Sequence, residues 1–323
     1  MFTYYQPWLL PFLKIGQNSL PKNLKQTYYY SFEDGLWDLL RHNYPNKLVN
    51  FLVPDFYCSD VLDNIRRHGH DYIYYQLDKN FQITTDKLRR YLWLYQPDIV
   101  IIFHACGITS QLFLNKSWMA DLPKESTVIE DSVHRLVNPE KIKLLNTNHL
   151  VMDSLRKVSP IPGSRMFGNV DFIPDRIYNL YFIKSSILYI LFRIFLNLGF
   201  TNFAHQNLLG KHDDIIGDEY SSQTGLSIFK FLLAHLDYEK IESLKHSQIA
   251  LYEKYLKPVY KNKFYYHIKF PKSDYKYLHV YPLGVVTDPQ EKLVTYLHQQ
   301  KILVWYKFTD SPWSTTRRVL FLP

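Results

Sequence analysis

The 323-residue chain has little cysteine, no export signal and no long run of basic residues, and each absence excludes a class of protein. Cys58 and Cys106 are the only cysteines, and their spacing fits neither a metal site nor a disulfide framework. Their scarcity indicates a reducing compartment. Because the N-terminus shows no charged segment followed by an apolar core, we expect a cytoplasmic protein.

Positive charge is present but scattered along the chain. The formal net charge of +8 would suit an anionic substrate, a phosphate cofactor or a polyanion surface. No basic run is longer than Arg66-Arg67 or Arg317-Arg318. We therefore expect no nucleic-acid binding.

The most apolar stretch extends from residue 177 to residue 200, and Lys184 and Arg193 interrupt it. Its uncharged part is shorter than the roughly 18 to 20 apolar residues that a membrane crossing requires. We expect a buried or interfacial helix, and the alternative is peripheral membrane contact through the same aromatic surface.

Helical and strand patterns alternate between residues 36 and 160, as in an α/β domain. This part is predicted to contain strands at 48–53, 72–77, 98–103, 127–130 and 150–152. One helix is predicted to begin at Gly35, and two further helices are predicted at 59–68 and 84–94. Parallel sheets place their chemistry at the carboxyl ends of strands. His104, Asp131 and Lys157 all follow such predicted ends.

The pattern changes after about residue 210, and the remainder is predicted to be an α+β unit. Its predicted helices are at 221–236, 238–256 and 289–299, and its strands at 264–270, 277–286, 302–306 and 319–322. We predict a large α/β domain at 1–210 and a smaller domain at 211–323, with one large domain as the alternative.

An acid at the end of an apolar strand is followed by a lysine on a later loop. Such a pair can hold pyridoxal phosphate (PLP), because the carboxylate keeps the pyridine nitrogen protonated and the amine binds the aldehyde. Side chains alternate along a strand, so Glu130 should face away from Asp131 and is interpreted as structural. For Lys157, the alternative is a solvated surface lysine.

Five segments, in order, resemble motifs of the DegT/DnrJ/EryC1/StrS sugar aminotransferases, which are fold-type I PLP enzymes. The segments are Val53-Pro54-Asp55-Phe56-Tyr57-Cys58, Arg67-His68-Gly69-His70 with the strand after it, Phe103-His104-Ala105-Cys106-Gly107, Ile129-Glu130-Asp131-Ser132-Val133-His134 and Ser154-Leu155-Arg156-Lys157. The resemblance covers most of the chain. It implies a three-layer sandwich with a mostly parallel sheet, a smaller C-terminal α+β domain and a homodimer.

The resemblance also assigns roles to the residues that bind the cofactor. Lys157 would form the internal aldimine, and Asp131 would pair with the pyridine nitrogen. His134 stands where the family has a glutamine that reaches the phenolic oxygen of the cofactor, and histidine can donate the same hydrogen bond. The alternative for His134 is a helix-start histidine satisfied by its neighbours.

Four further residues are candidates for contact with the cofactor. Cys58, or Tyr57 beside it, would pack against the ring. His104 would lie near the ring, with an ordinary buried histidine as the alternative. Ser154 is a candidate phosphate ligand.

The start of the first helix departs from the family. Ser31-Phe32-Glu33-Asp34-Gly35 stands where relatives have a small Gly-Thr or Gly-Ser turn that holds the phosphate. Two carboxylates there would repel a phosphate dianion unless Ser31 takes over the contact or the register is shifted. The sequence also stops where relatives continue into a last helix, which leaves a truncated or degenerate member as an alternative.

The resemblance favours a PLP-dependent aminotransferase that moves an amino group from an amino-acid donor to a keto-sugar, including a nucleotide-linked one. The alternative is a catalytically degenerate protein of the same fold with a binding or regulatory role.

Overall fold

The computed structural model describes residues 12–155, 161–170, 172–174, 180–198, 224, 227–256, 258–259, 263–286, 290–300, 302, 304–306 and 308–322. Lys157 and the predicted domain boundary near residue 210 lie outside these residues. The division into two domains therefore stays a prediction.

Apart from β1 and β7, which were not predicted, the described strands and α-helices follow one another in the order that the sequence predicts. The strands are β1 Lys25–Tyr29, β2 Asn50–Pro54, β3 Asp71–Tyr75, β4 Ile99–Phe103, β5 Thr127–Asp131, β6 His149–Met152, β7 Ser164–Gly168, β8 Tyr265–His267, β9 Tyr281–Val285, β10 Trp305–Tyr306 and β11 Arg318–Leu322. The helices are α1 Phe32–Asn43, α2 Ser59–Arg67, α3 Thr85–Tyr95, α4 Leu180–Asn197, α5 Ser227–Ala234, α6 Tyr238–Leu256 and α7 Gln290–Gln299.

Local sequence explains where the first elements begin. Strand β4 is a run of β-branched and aromatic residues that is buried throughout, as a central parallel strand requires. Thr84 caps α3 by accepting a hydrogen bond from the Lys87 backbone N–H, as predicted. Helix α1 begins at Phe32 and not at the predicted Gly35, because Ser31 caps it earlier.

The first sheet has seven strands in the order β1-β7-β6-β5-β4-β2-β3. The pairs β3-β2, β2-β4, β4-β5 and β5-β6 are parallel, whereas β7 is antiparallel to both of its neighbours, β6 and β1. The carboxyl ends of β1, β5 and β6 and the start of β7 therefore meet at one edge. This mostly parallel sheet with flanking helices confirms the predicted fold class.

A second, smaller sheet is antiparallel and has the order β10-β11-β9-β8. It packs close to the edge where the carboxyl ends of the parallel strands meet. The backbone N–H of Trp313 donates to the carbonyl of Asp55, and the Trp313 indole N–H donates to the carbonyl of Asp78. The C-terminal part of the chain thus reaches the loops that follow β2 and β3.

Helix α4 covers the centre of the apolar stretch, and the helix predicted there is confirmed. Several of its apolar side chains are exposed, including Ile187 and Ile194. Within the described part of the chain, no helix combines the length and the apolar character needed to cross a membrane.

Candidate functional site

A cavity opens at the edge of the first sheet where the strand ends converge. Six of the residues singled out from the sequence line it: Ser31, Tyr57, Cys58, Asp131, His134 and Ser154. They come from four separate loops, which the topology brings together. We call this space the Asp131 cavity.

Asp131 is the buried carboxylate of this cavity, with 1% of its surface exposed. One oxygen accepts a hydrogen bond from the Tyr57 hydroxyl at 2.6 Å, and the other accepts from the Val133 backbone N–H at 3.0 Å. Burial, and then the neighbouring Asp131 carboxylate, raise the pKa of Tyr57 well above its ordinary value. The phenol therefore stays protonated and donates its hydrogen bond to the Asp131 carboxyl group.

His134 is fully buried at the wall of the same cavity. Its Nδ1 accepts a hydrogen bond from the Cys106 backbone N–H at 3.1 Å, so a neutral ring carries its proton on Nε2. The ring lies nearly parallel to Phe308, with 5.9 Å between the ring centroids. The fixed tautomer makes Nε2 a hydrogen-bond donor, as the role predicted for His134 requires.

Ser31 begins α1 and is engaged with the helix's own acid. The Ser31 backbone N–H and hydroxyl donate to one Asp34 carboxylate oxygen at 3.0 and 2.5 Å, and the Asp34 N–H donates back to the Ser31 hydroxyl at 3.1 Å. This is a capping box with aspartate at its third position. A carboxylate thus takes the donors that a phosphate would use.

Ser154 and Gly163 lie at the cavity on either side of the segment that carries Lys157. The Leu155 backbone N–H donates to the Gly163 carbonyl at 2.8 Å. Gly163 has a φ of +101°, and a Cβ there would lie 2.6 Å from the Tyr29 carbonyl oxygen. Only glycine allows this approach to β1.

Cys58 is half-buried and precedes α2, and its side chain lies 3.9 Å from an Asp60 oxygen. Both Cys58 and Tyr57 line the cavity, so the choice between them as the ring contact stays open.

The cavity volume is about 60 Å³, which is room for about two water molecules at roughly 30 Å³ each.

His104 is not brought to the Asp131 cavity. Its side chain lies on the other face of the sheet, where Nε2 is 2.9 Å from a Glu130 oxygen and Nδ1 accepts from the Ser110 backbone N–H. The alternation of a strand accounts for this, because Phe103 before it lines the Asp131 cavity. Glu130 faces away from Asp131, as predicted.

Sequence reasoning missed three residues that line the Asp131 cavity: Tyr30, Glu33 and Phe308. Glu33 was noticed only as a charge at the helix start, and the structure places it in the wall with 8% of its surface exposed. Phe308 comes from the C-terminal part of the chain, and no sequence signal relates it to Asp131.

The fold is that of PLP-dependent aminotransferases. Solved structures with this fold include Bacillus subtilis NtdA with bound PMP (13% identity, TM-score 0.60, 100% of this chain and 73% of that one). A second is S. venezuelae DesV in complex with a ketimine intermediate (12% identity, TM-score 0.57, 99% of this chain and 84% of that one). A third is Helicobacter pylori PseC, an aminotransferase of pseudoaminic acid biosynthesis (12% identity, TM-score 0.55, 99% of this chain and 93% of that one). No family profile matches the chain, and no curated protein matches its sequence.

The described residues fit one end of PLP better than the other. The buried Asp131 carboxyl group would suit a pyridinium nitrogen, and His134 would offer a donor for the phenolic oxygen. The start of α1, where the resemblance would place the phosphate, carries two acids, Glu33 and Asp34. No lysine or arginine lines the cavity among the described residues.

Proposed function

We propose that the chain is a PLP-dependent aminotransferase that transfers an amino group from an amino-acid donor to a keto-sugar. The observation that carries the proposal is the buried Asp131 carboxylate, held by Tyr57 and Val133 in a cavity at the carboxyl ends of the parallel strands. The sugar substrate rests on the resemblance and on the structural neighbour PseC, an aminotransferase of pseudoaminic acid biosynthesis.

Each residue has a defined task in this proposal. Asp131 keeps the pyridine nitrogen protonated, and His134 donates to the phenolic oxygen. Lys157, which follows Ser154 by three positions, anchors the aldehyde and then moves the proton at the substrate carbon. Bound PLP supplies an electron sink for the carbanion that forms there.

The cavity must enlarge when the cofactor binds, because about 60 Å³ is well below the roughly 300 Å³ at which small-molecule pockets begin. The phosphate end must also change, since Ser31 has to exchange the Asp34 carboxylate for a phosphate oxygen. We expect both rearrangements to lower the affinity for PLP, because they use part of the binding free energy.

Borohydride trapping tests this proposal. Purified protein is mixed with PLP, its visible spectrum is recorded, and the reduced protein is mapped by peptide mass spectrometry. We expect an absorption band and an adduct on Lys157, both absent in Lys157→Ala and retained in Lys143→Ala. A folded protein with no band, or with its adduct on another lysine, would overturn the assignment.

The capping box favours a second candidate, a protein of this fold with a binding or regulatory role and no turnover. In that case Ser31 and Asp34 would remain paired and PLP would not be retained. The trapping experiment separates the two candidates. If PLP is bound, single-turnover spectra with amino-acid donors then test amino transfer.

The homodimer and the cytoplasmic location stay predictions.

A further inference from the structure

A second cavity, of about 280 Å³, lies on the face of β5 opposite the Asp131 cavity. The last residues of β5 and the residues just after it are divided between the two faces of the sheet. Glu130, Ser132 and Arg135 line this second cavity, whereas Asp131 and His134 line the first. We call it the Glu130 cavity. Its volume is close to the lower end of the range for small-molecule pockets, roughly 300 Å³.

Glu130 lies between two buried histidines whose tautomers are fixed. The backbone N–H groups of Ser110 and Leu145 donate to Nδ1 of His104 and of His149, respectively. Neutral rings therefore carry their protons on Nε2, and both Nε2 atoms face Glu130. Burial opposes ionisation of Glu130, but the hydrogen bond from His104 and then the nearby His149 ring outweigh it and lower the pKa of Glu130.

The carboxylates of this cavity have capacity for further hydrogen bonds. One Glu130 oxygen is 2.9 Å from His104 Nε2, whereas the other is 3.4 Å from His149 Nε2, a long distance for a hydrogen bond. Glu242, from α6, also lines the cavity. Its Oε2 binds Lys141 at 2.9 Å, but its Oε1 is buried with no hydrogen-bond partner among the described residues.

A cation lines the same cavity and lacks an acidic partner. The Arg135 guanidinium stacks on the Tyr277 ring at 4.1 Å, and no ion pair joins it to an acid in the part of the chain that the structure describes. The exposed side chains of Lys116 and Lys143 add positive charge at the rim. A guanidinium presents paired donors that match a carboxylate.

We propose that the Glu130 cavity binds a free α-amino acid, with its ammonium group at Glu130 and its carboxylate at Arg135. An ammonium has three N–H donors, enough for the second Glu130 oxygen and for Glu242. A ligand with only negative charge would be repelled by the ionised Glu130. The described residues contain no cluster of acids, histidines or cysteines that could hold a metal ion. This inference does not depend on PLP binding in the Asp131 cavity.

Calorimetric titration of the PLP-free protein with each of the common L-amino acids tests the proposal, with acetate and methylammonium as single-charge controls. We expect at least one amino acid to bind at least tenfold more tightly than either control. Arg135→Gln should weaken that binding at least tenfold, and Arg135→Lys less. Arg135 has no ion pair to lose within the described part of the chain, so these variants should fold.

Asp131→Asn is the matched control, because it changes the neighbouring residue on the opposite face. It should leave the amino-acid affinity unchanged within about twofold. Binding that is lost in Asp131→Asn but retained in Arg135→Gln would place the amino acid in the Asp131 cavity and overturn the proposal. Titrations in which no amino acid binds more tightly than acetate and methylammonium would also overturn it.

Discussion

Glu130 and Asp131 are neighbours in the chain, yet they belong to cavities with opposite chemical character. Asp131 is held by a phenol and a backbone N–H, and among the described residues the other carboxylate that lines its cavity is Glu33. Glu130 is held by two histidines, and its cavity also contains Arg135 and three lysines. One strand therefore supplies a carboxylate to each face, and the surrounding loops decide what each carboxylate can bind.

The largest expected effect is on the affinity for PLP, which should depend on Asp131 and not on Glu130. Asp131→Asn should weaken PLP binding by about 100-fold, roughly 2.7 kcal/mol, because the pyridinium loses its ionised partner. The affinity can be measured by titrating PLP and recording the visible band. Glu130→Gln is the control and should change the affinity less than threefold, since it lies on the other face. Equal losses in the two variants would remove the distinction between the cavities.

The next effect concerns stability in acid. The folded state lowers the pKa of Glu130, so its contribution to stability is present above the unfolded pKa of about 4.3 and is lost as the pH falls. Glu130→Gln should lower the free energy of unfolding by about 2 kcal/mol at pH 7. Between about pH 5 and 3, the free energy of unfolding should fall less in this variant than in the wild-type protein. Denaturant titrations at several pH values measure this. Parallel curves for the two proteins would contradict the prediction.

A smaller effect is expected at the phosphate end of the Asp131 cavity. Asp34→Asn removes one negative charge near the phosphate while an amide oxygen still accepts from Ser31. The affinity for PLP should rise about tenfold, or ~1.4 kcal/mol. Asp86→Asn, which changes the exposed first-turn acid of α3, is the control and should have no effect. An unchanged affinity in Asp34→Asn would mean that the phosphate binds elsewhere.

The smallest effect concerns a buried lysine of α6. Lys245 lies one turn after Glu242 in α6 and donates to the carbonyls of Leu278 and His279 at 3.1 and 3.4 Å. Burial lowers the pKa of Lys245 to about 8. The unfolded chain therefore binds more protons between about pH 8 and 10.4, and stability should rise with pH there.

Burial alone would give a rise of roughly 3 kcal/mol. The carbonyl hydrogen bonds stabilise the ammonium and raise the pKa of Lys245 above the value that burial alone sets, so we expect a rise of about 1 kcal/mol. Lys245→Met should abolish it, as measured by thermal unfolding in alkaline buffers. Lys240→Met, on the same helix but exposed, is the control. A rise that persists in Lys245→Met would assign it to another group.

Much of the first sheet could be predicted from local sequence. The apolar run of β4 and the threonine cap of α3 are signals that a few residues carry by themselves. Strands β1 and β7 were not predicted, because neither has a clear alternating pattern and each is stabilised by pairing with the other. Their pairing depends on residues far apart in the sequence.

The candidate site was predicted in part, for similar reasons. Asp131, His134 and Ser31 stand in motifs at strand or helix ends, which the topology brings to one edge. The side to which His104 points could have been inferred from strand alternation alone. Phe308 and the Glu130 cavity could not, since both require the C-terminal part of the chain, including Glu242 and Tyr277, to pack on the first sheet.

The reversed direction of β7 has a consequence for reactivity. Because β6 ends and β7 begins at the same edge, Leu155 and Ile161 belong to one buried apolar cluster there. The short stretch of sequence between these two residues includes Lys157. In the proposed function, an amine attached at such close quarters would have a local concentration of millimolar order, so a bound aldehyde would meet it in preference to amines in solution.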